Sequence, residues 1–391
     1  MSPPGERLVT IAGPDAVDPA QVDGALAALW RTAARGGAGA DGVERKEAKV
    51  TRACLWNLVV YNPKPEKNFD DSEGHGYGLR TLLDEVVPSL PARIIRLELG
   101  GKGSKPPQGK EVLARVAAKC VPHPSGGLQI YGEEINLTAY GAKGESHFPS
   151  LVRALLQPNL PIAVLWLDDL PHKGWLLEQM LGLSDRLLMD SQSASQEADL
   201  AVVGELVSDF PTQFVDIGWM RLTPLRHLIA GFFDGPQGAA QLQALEGIDI
   251  LATPGGRNGA LLLAGWLLER TGLSKIKALP RGKEDVAHRW EAARGKSRFP
   301  VTIRIHEGQG GADGLLELAI RAQGEHFAIH QVDADTVTLD SPQRVEPHLN
   351  LHRFSDAELA IAALGAHGPD SIYPEVLEKV RDLLAAEEHK K

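Results

Sequence analysis

The period of the apolar positions changes twice along this chain, and each change marks a different architecture. Residues 1–147 mix helical and strand patterns. Asp18 to Ala34 predicts a helix, with Asp18 before Pro19 as the capping start and Val22, Ala25, Leu26 and Leu29 on one face. Thr51 to Tyr61 predicts a strand whose Leu55, Leu58, Val59 and Val60 are nearly continuous, as in a strand buried on both faces. A helix over Tyr77 to Val87 precedes a strand over Ala92 to Leu99. Two further strands, Glu111 to Val121 and Gly127 to Leu137, pair through His123-Pro124-Ser125-Gly126. Asn62 to Gly76 and Gly100 to Lys110 read as surface loops.

From Pro149 helices and strands alternate. A helix opens at Pro149-Ser150-Leu151, and Pro161 to Leu167 is a short apolar strand. Trp175 to Leu183 is a helix and Asp185 to Ser191 a strand. Ser193 to Asp209 is a helix whose Ser193 and Gln196 form a capping box. A helix starting at Thr223-Pro224, a strand over Ile248 to Thr253 and a helix from Asn258 to Thr271 follow. Lys275 to Ser297 is charged and weakly amphipathic. From Pro300 the pattern becomes short alternating strands, at Val301 to His306, Gly314 to Arg321, His326 to Val332, Thr336 to Leu339 and Arg344 to Leu349, closed by helices at Ser355 to Leu364 and Ser371 to Ala386. The expected fold is α/β in four parts. An N-terminal α/β domain spans 1–147. A central, mostly parallel βαβ-type, Rossmann-like sheet domain spans 148–274. A linker or bridging helix spans 275–297, and a C-terminal antiparallel β meander with terminal helices spans 298–391.

Composition narrows the class without naming an activity. Hydrophobic content of 43% and charged content of 24% are those of a globular protein, and 391 residues suggest more than one core. A net charge of −10 with no basic stripe argues against nucleic acid as a partner. Cys54 and Cys120 are too few for a disulfide scaffold or a cysteine-based zinc site. No apolar run is long enough to span a bilayer and no secretory signal is visible, so a cytoplasmic location without a membrane partner is expected.

Candidate chemistry gathers at predicted strand ends, where open α/β sheets build their sites. Asp185 and Arg186 open one strand, and Asp190 and Ser191 close it. Trp166 ends another. Asp216, Trp219 and Arg221 lie just before the helix that carries Arg226, and Thr223-Pro224 is that helix's expected N-cap start. An indole and two guanidinium groups beside a helix N-terminus suit an anion or a partner. They equally suit a helix docked on a sheet with its arginines tying down carboxylates. Thr253-Pro254-Gly255-Gly256-Arg257-Asn258-Gly259 joins a strand to a helix, where phosphate binds in such folds, but it matches neither a dinucleotide fingerprint nor a P-loop. Arg257 is its charged member. The histidines show no metal-binding spacing, and no nucleophile elbow appears, so no metal, no cofactor and no catalytic residues are assigned.

A series of segments carries a resemblance. Leu55-Trp56-Asn57-Leu58-Val59-Val60, Asn159-Leu160-Pro161-Ile162 with Leu165-Trp166, Ser184-Asp185-Arg186-Leu187-Leu188-Met189-Asp190-Ser191, Asp216-Ile217-Gly218-Trp219-Met220-Arg221-Leu222-Thr223-Pro224 and Leu262-Leu263-Ala264-Gly265-Trp266-Leu267 occur in that order. Over Thr51 to Leu273 the chain resembles the OpcA, glucose-6-phosphate dehydrogenase assembly protein family. The chain departs from that pattern at Leu90-Pro91-Ala92-Arg93, at Tyr131-Gly132 and at Leu167 after Trp166. The resemblance implies a protein that is not itself an enzyme. Its partner would be glucose-6-phosphate dehydrogenase, which it assembles and activates allosterically in the oxidative pentose phosphate pathway. The alternative is a sugar-phosphate or nucleotide-binding regulatory module, with a small phosphorylated ligand in place of, or beside, the dehydrogenase. Trp166, Asp185, Arg186, Asp190, Ser191, Asp216, Trp219, Arg221, Arg226 and Arg257 are the candidates for the partner or ligand site.

Overall fold

A computed structural model describes residues 9–16, 21–34, 51–52, 54–63, 79–101, 110–122, 128–167, 174–210, 214–282, 286–307, 314–333, 335–342, 344–366, 368 and 370–388. The His123–Gly126 turn, the Asp168-Asp169 pair and most of the two long loops lie outside these residues. The fold is α/β and forms two compact units. Unit 1 is Met1–Leu188 with Asp356–His367, and unit 2 is Met189–Ser355 with Gly368–Lys391. Among the described residues no helix is long and apolar enough to cross a membrane.

Unit 1 is built on a mixed sheet of β1 (Val9–Ala16), β2 (Thr51–Arg52), β3 (Trp56–Asn62), β4 (Ala92–Leu99), β5 (Val112–Pro122), β6 (Leu128–Ala139), β7 (Ile162–Trp166) and β8 (Arg186–Met189). The order runs β1-β5-β6-β4-β3-β7-β8, with β2 paired to β6. The predicted Thr51 to Tyr61 strand is therefore two strands. From β6 to β8 all pairs are parallel, while β5 pairs antiparallel with both β1 and β6. Val59 and Val60 are fully buried, which explains why β3 reads as a continuous apolar run, and Ile94, Ile95, Leu97, Ile135 and Leu137 are fully buried among the charged residues of β4 and β6. A buried charged pair interrupts that core. Arg93 and Glu133 are register partners, both buried, joined at 2.8 Å, and Arg93 Nη1 also donates to the Leu155 carbonyl at 2.8 Å.

Unit 2 carries β9 (Phe214–Asp216) and a second sheet. That sheet holds β10 (Leu245–Ala252), β11 (Ser274–Ala278), β12 (Val286–Arg294), β13 (Ser297–Ile305), β14 (Leu315–Ala322), β15 (Glu325–Gln331), β16 (Thr336–Ser341) and β17 (Arg344–Asn350). Its order is β11-β12-β13-β10-β14-β15-β16-β17, parallel only between β10 and β13. The antiparallel meander expected after Pro300 is β14 to β17. The stretch expected as a linker or bridging helix over 275–297 is not helical. It forms most of β11, all of β12 and the first residue of β13. Val286, His288, Trp290 and Ala292 alternate inward, and a histidine among them hid the two-residue period.

The helix Arg257–Arg270 packs centrally in unit 2. Residues from Asn258 to Leu268 are all buried, so its surface is enclosed all round. The helix Tyr373–Glu388 lies against it so closely that a Cβ at Gly265 would come within 2.9 Å of the Val376 carbonyl. Ala198–Asp209 is the third helix of this layer, with Gly204 facing Leu377. The predicted Ser193 start is wrong for it. Ser191–Ser193 is a short 3-10 turn, and the α-helix begins at Ala198 without a side-chain cap.

Candidate functional site

Unit 2 contains two linked polar centres, and the segment Asp190 to Glu197 borders both. The first centre is built where β9 ends. Asp216 caps the short helix Ile217–Arg221 by accepting from Gly218 N at 2.8 Å. The same oxygen accepts from Ser191 N at 2.9 Å, and the other accepts from the Tyr373 hydroxyl at 2.6 Å. Asp216 is only 2% exposed. Burial, then the nearby Asp190, push its carboxyl above the usual aspartate value, against the pull of Tyr373 and Ser191. Burial and the neighbouring acids push the Tyr373 hydroxyl well above its ordinary value, so it stays a donor. Gly218 is required here, because a Cβ would fall 2.3 Å from Ser191 Oγ.

Around this centre the predicted arginines are tied down. Arg221 grips both oxygens of Asp190, at 3.3 and 3.0 Å, while Asp190 Oδ1 accepts from Gln192 N at 2.9 Å. The Arg226 guanidinium lies 3.5 Å from the centroid of the buried Trp219 ring. Burial lowers Arg226 to about 10. Trp219 Nε1 donates to Asp370 Oδ2 at 2.7 Å, and Asp370 Oδ1 accepts from Ile372 N and Tyr373 N as the last helix begins. Thr223 is not the N-cap expected of it. Leu222 holds that position with no side-chain bond, Pro224 falls in the first turn, and Thr223 Oγ1 accepts from Arg226 Nη2 at 2.8 Å.

The second centre surrounds His288, which sequence reading passed over. Its Nδ1 lies 2.9 Å from Glu387 Oε1 and its Nε2 lies 2.8 Å from Glu197 Oε2. The ring is buried and stacks on Trp290, with centroids 5.0 Å apart and planes within 4°. Arg281 pairs with Glu387 at 2.9 Å, and Arg257 Nε approaches Glu197 at 3.4 Å. His288, Arg257, Arg281, Glu197, His306 and Glu307 line a depression of 480 Å3. Asn258 joins the centres by donating to the carbonyls of Ser191 and Ala194. The Thr253 turn spends its donors internally: Gly256 N and Gly314 N both donate to Thr253 Oγ1.

Of the ten predicted residues, Asp190, Ser191, Asp216, Trp219, Arg221 and Arg226 come together in the first centre, and Arg257 falls in the second. Trp166, Asp185 and Arg186 belong to unit 1 and have local roles there. Trp166 packs on Tyr61 with centroids 4.3 Å apart. Asp185 accepts from Ile162 N at 2.8 Å. Arg186 donates to the carbonyls of Ala363, Leu364 and Ala366, closing the helix Asp356–Gly365. Glu197, His288, Asp370, Tyr373 and Glu387 were all missed. Among the described residues no group of three His, Cys, Asp or Glu side chains is arranged to hold a metal ion.

Family comparison supplies what this geometry lacks. Residues 84–205 match the family model described as the glucose-6-phosphate dehydrogenase subunit N-terminal domain, and residues 212–377 match the model of its C-terminal domain. The chain belongs to the OpcA family. Two curated relatives carry the name OxPP cycle protein OpcA. The one from Synechocystis is 28% identical over 202 residues, spanning 51% of this chain and 40% of that relative, so less than half of its length is matched. The one from Synechococcus elongatus is 23% identical over 335 residues, spanning 71% of this chain and 72% of that relative. Among solved structures, aldose-aldose oxidoreductase from Caulobacter crescentus is similar at 9% identity and a TM-score of 0.46, over 87% of this chain and 99% of that one. A likeness that weak carries no argument about chemistry. The OpcA models reach both centres: Asp190 and Glu197 fall in the N-terminal match, and Asp216, Trp219, His288 and Tyr373 in the C-terminal one.

Proposed function

We propose that this chain is a non-catalytic subunit that assembles with glucose-6-phosphate dehydrogenase and activates it allosterically, in the cytoplasm, at the oxidative entry to the pentose phosphate pathway. The match of both halves to glucose-6-phosphate dehydrogenase subunit models carries this reading. The first centre supports it in a negative way. Its one serine is fully buried and both oxygens of Asp216 are engaged by donors, so neither residue is presented to a substrate as nucleophile or base. Asp190, Arg221 and Arg257 keep enough exposure to meet a partner, whereas Ser191, Asp216 and Trp219 are buried.

The test is reconstitution. The purified chain alone reduces no NADP with glucose 6-phosphate. Mixed with its cognate dehydrogenase it co-elutes on gel filtration and raises kcat or lowers KM. Arg257→Ala weakens that complex by about tenfold, the size expected for a partly exposed arginine anchor. Unchanged kinetics together with separate elution of the parent proteins would sink the proposal.

A further inference from the structure

Three observations meet at the carboxyl end of the helix Tyr373–Glu388. First, both ring nitrogens of His288 face carboxylate oxygens, at 2.8 and 2.9 Å. A neutral imidazole has one N–H and one bare lone pair. In the neutral form one nitrogen would therefore turn its lone pair on a carboxylate oxygen, inside a buried site. Only the imidazolium, with two N–H donors, satisfies both contacts. Second, the last turn of the helix has no basic residue and ends in Glu387-Glu388. Negative charge at a helix carboxyl end opposes its dipole, so a cation brought beside it is stabilising. His288 on β12 and Arg281 after β11 supply it. Third, the same imidazolium reaches Glu197 at the start of the helix Ala198–Asp209, so one proton joins two helices to the sheet.

We propose that His288 is a proton-operated latch: doubly protonated, it clamps Glu387 to Glu197, and on losing a proton it releases the final turns of the helix Tyr373–Glu388. The surrounding charges are specified. Glu197 comes from the helix start, Glu387 from the last helix, Arg257 from the central helix, Arg281 from the turn after β11, and His306 and Glu307 from the end of β13. Burial pulls His288 down, but Glu197 and then Glu387 outweigh it and leave it above its ordinary 6.5. A group raised on folding contributes its full stability below its unfolded value and loses it as pH rises through the folded value. Glu387 is held below its ordinary 4.5 by His288 and Arg281, against burial, so its share is lost on the acid side as pH falls through the lowered value. The latch is therefore closed between those two limits and opens on the alkaline side.

The experiment is pH-resolved amide exchange with NMR of the His288 ring. At pH 6 both ring nitrogens of the parent carry protons, and the ring titrates above about 6.5. Between pH 6 and 9, protection of the amides of residues 384–388 falls by about tenfold, after correction for intrinsic exchange. Glu387→Gln separates the latch from simple packing. The introduced amide can donate to a neutral ring nitrogen, so in this variant the protection no longer falls with pH. His288→Asn has low protection at every pH. A single N–H on the parent ring at pH 6, or the same pH profile in the parent and Glu387→Gln, overturns the proposal.

Discussion

The helix Tyr373–Glu388 is anchored at both ends, and by different chemistry. At its amino end the Tyr373 hydroxyl donates to Asp216, the Trp219 indole donates to Asp370, and Asp370 receives the first N–H groups of the helix. Neutral donors there meet carboxylates, and the donors keep their protons throughout the physiological range. At its carboxyl end a cation meets two carboxylates, and that cation is a histidine. Between them Trp290 Nε1 donates to the Leu383 carbonyl at 2.9 Å, and Val376, Leu377, Val380 and Leu383 are buried. The middle is held chiefly by buried apolar area, with Lys379 pairing to Glu269 at 3.6 Å at its surface. The two ends do opposite jobs: one fixes the helix through donors that keep their protons as pH rises, and the other makes its last turns conditional on a histidine proton.

Breaking the amino end should produce the largest loss. Asp216→Ala strands Ser191 N, Gly218 N and the Tyr373 hydroxyl in a buried site. Hydrogen bonds to a buried carboxylate are among the stronger ones, and orphaned donors add their desolvation, so a cost on the order of 4 kcal/mol is expected. Denaturant unfolding of the variant, with an unchanged slope and a lowered midpoint, checks it. A loss below about 1 kcal/mol would show that water replaces Asp216 freely. Tyr373→Phe is the milder cut. It removes one donor and leaves the ring packed 5.7 Å from Trp219. Asp216 keeps two of its three bonds, so the expected cost is about 2 kcal/mol. The loss should not vary between pH 6 and 9, unlike the exchange of residues 384–388. A matching alkaline dependence at both ends would erase the contrast.

How much of this was readable in advance follows from the range of the interactions. The parallel strands β3 and β7 were legible because burial on both faces writes itself as an apolar run, and β4 because its apolar residues alternate with Arg93, Arg96 and Glu98. The cluster of Asp190, Asp216, Arg221 and Arg226 was legible as types, because strand ends and helix starts in α/β chains gather polar groups. Its meaning was not. Trp219 meets Asp370 across 151 residues, and Asp216 meets Tyr373 across 157, so nothing local announces either bond. Thr223 and Ser193 misled for the opposite reason. Both carry good capping chemistry, but Thr223 is the first residue inside its helix with Oγ1 taken by Arg226, and the helix after Ser193 begins only at Ala198. His288 was invisible because a buried histidine on the inner face of β12 breaks the alternation that would have revealed the strand. The lapse has one cause: a polar residue inside a sheet reads as a loop or a surface until its partners are in place.

The smallest effect sharpens the contrast most cleanly. Arg221 and Asp190 form a bidentate pair, yet their side chains are 24% and 31% exposed. Water screens the pair, and the two side chains give up freedom to make it. Arg221→Ala should therefore cost about 0.5 kcal/mol or less, within the range of exposed ion pairs. The loss should shrink further in 1 M salt, where the Debye length is about 3 Å. Asp216, a few residues away and sealed from water, should show no such salt dependence. Measuring both variants at low and high salt separates the part of the first centre that builds the fold from the part that faces outward. If Arg221→Ala destabilises as much as Tyr373→Phe, the arginine belongs to the buried framework and not to a surface that a partner could use. A stable variant that still loses activation of glucose-6-phosphate dehydrogenase would put Arg221 beside Arg257 at the interface.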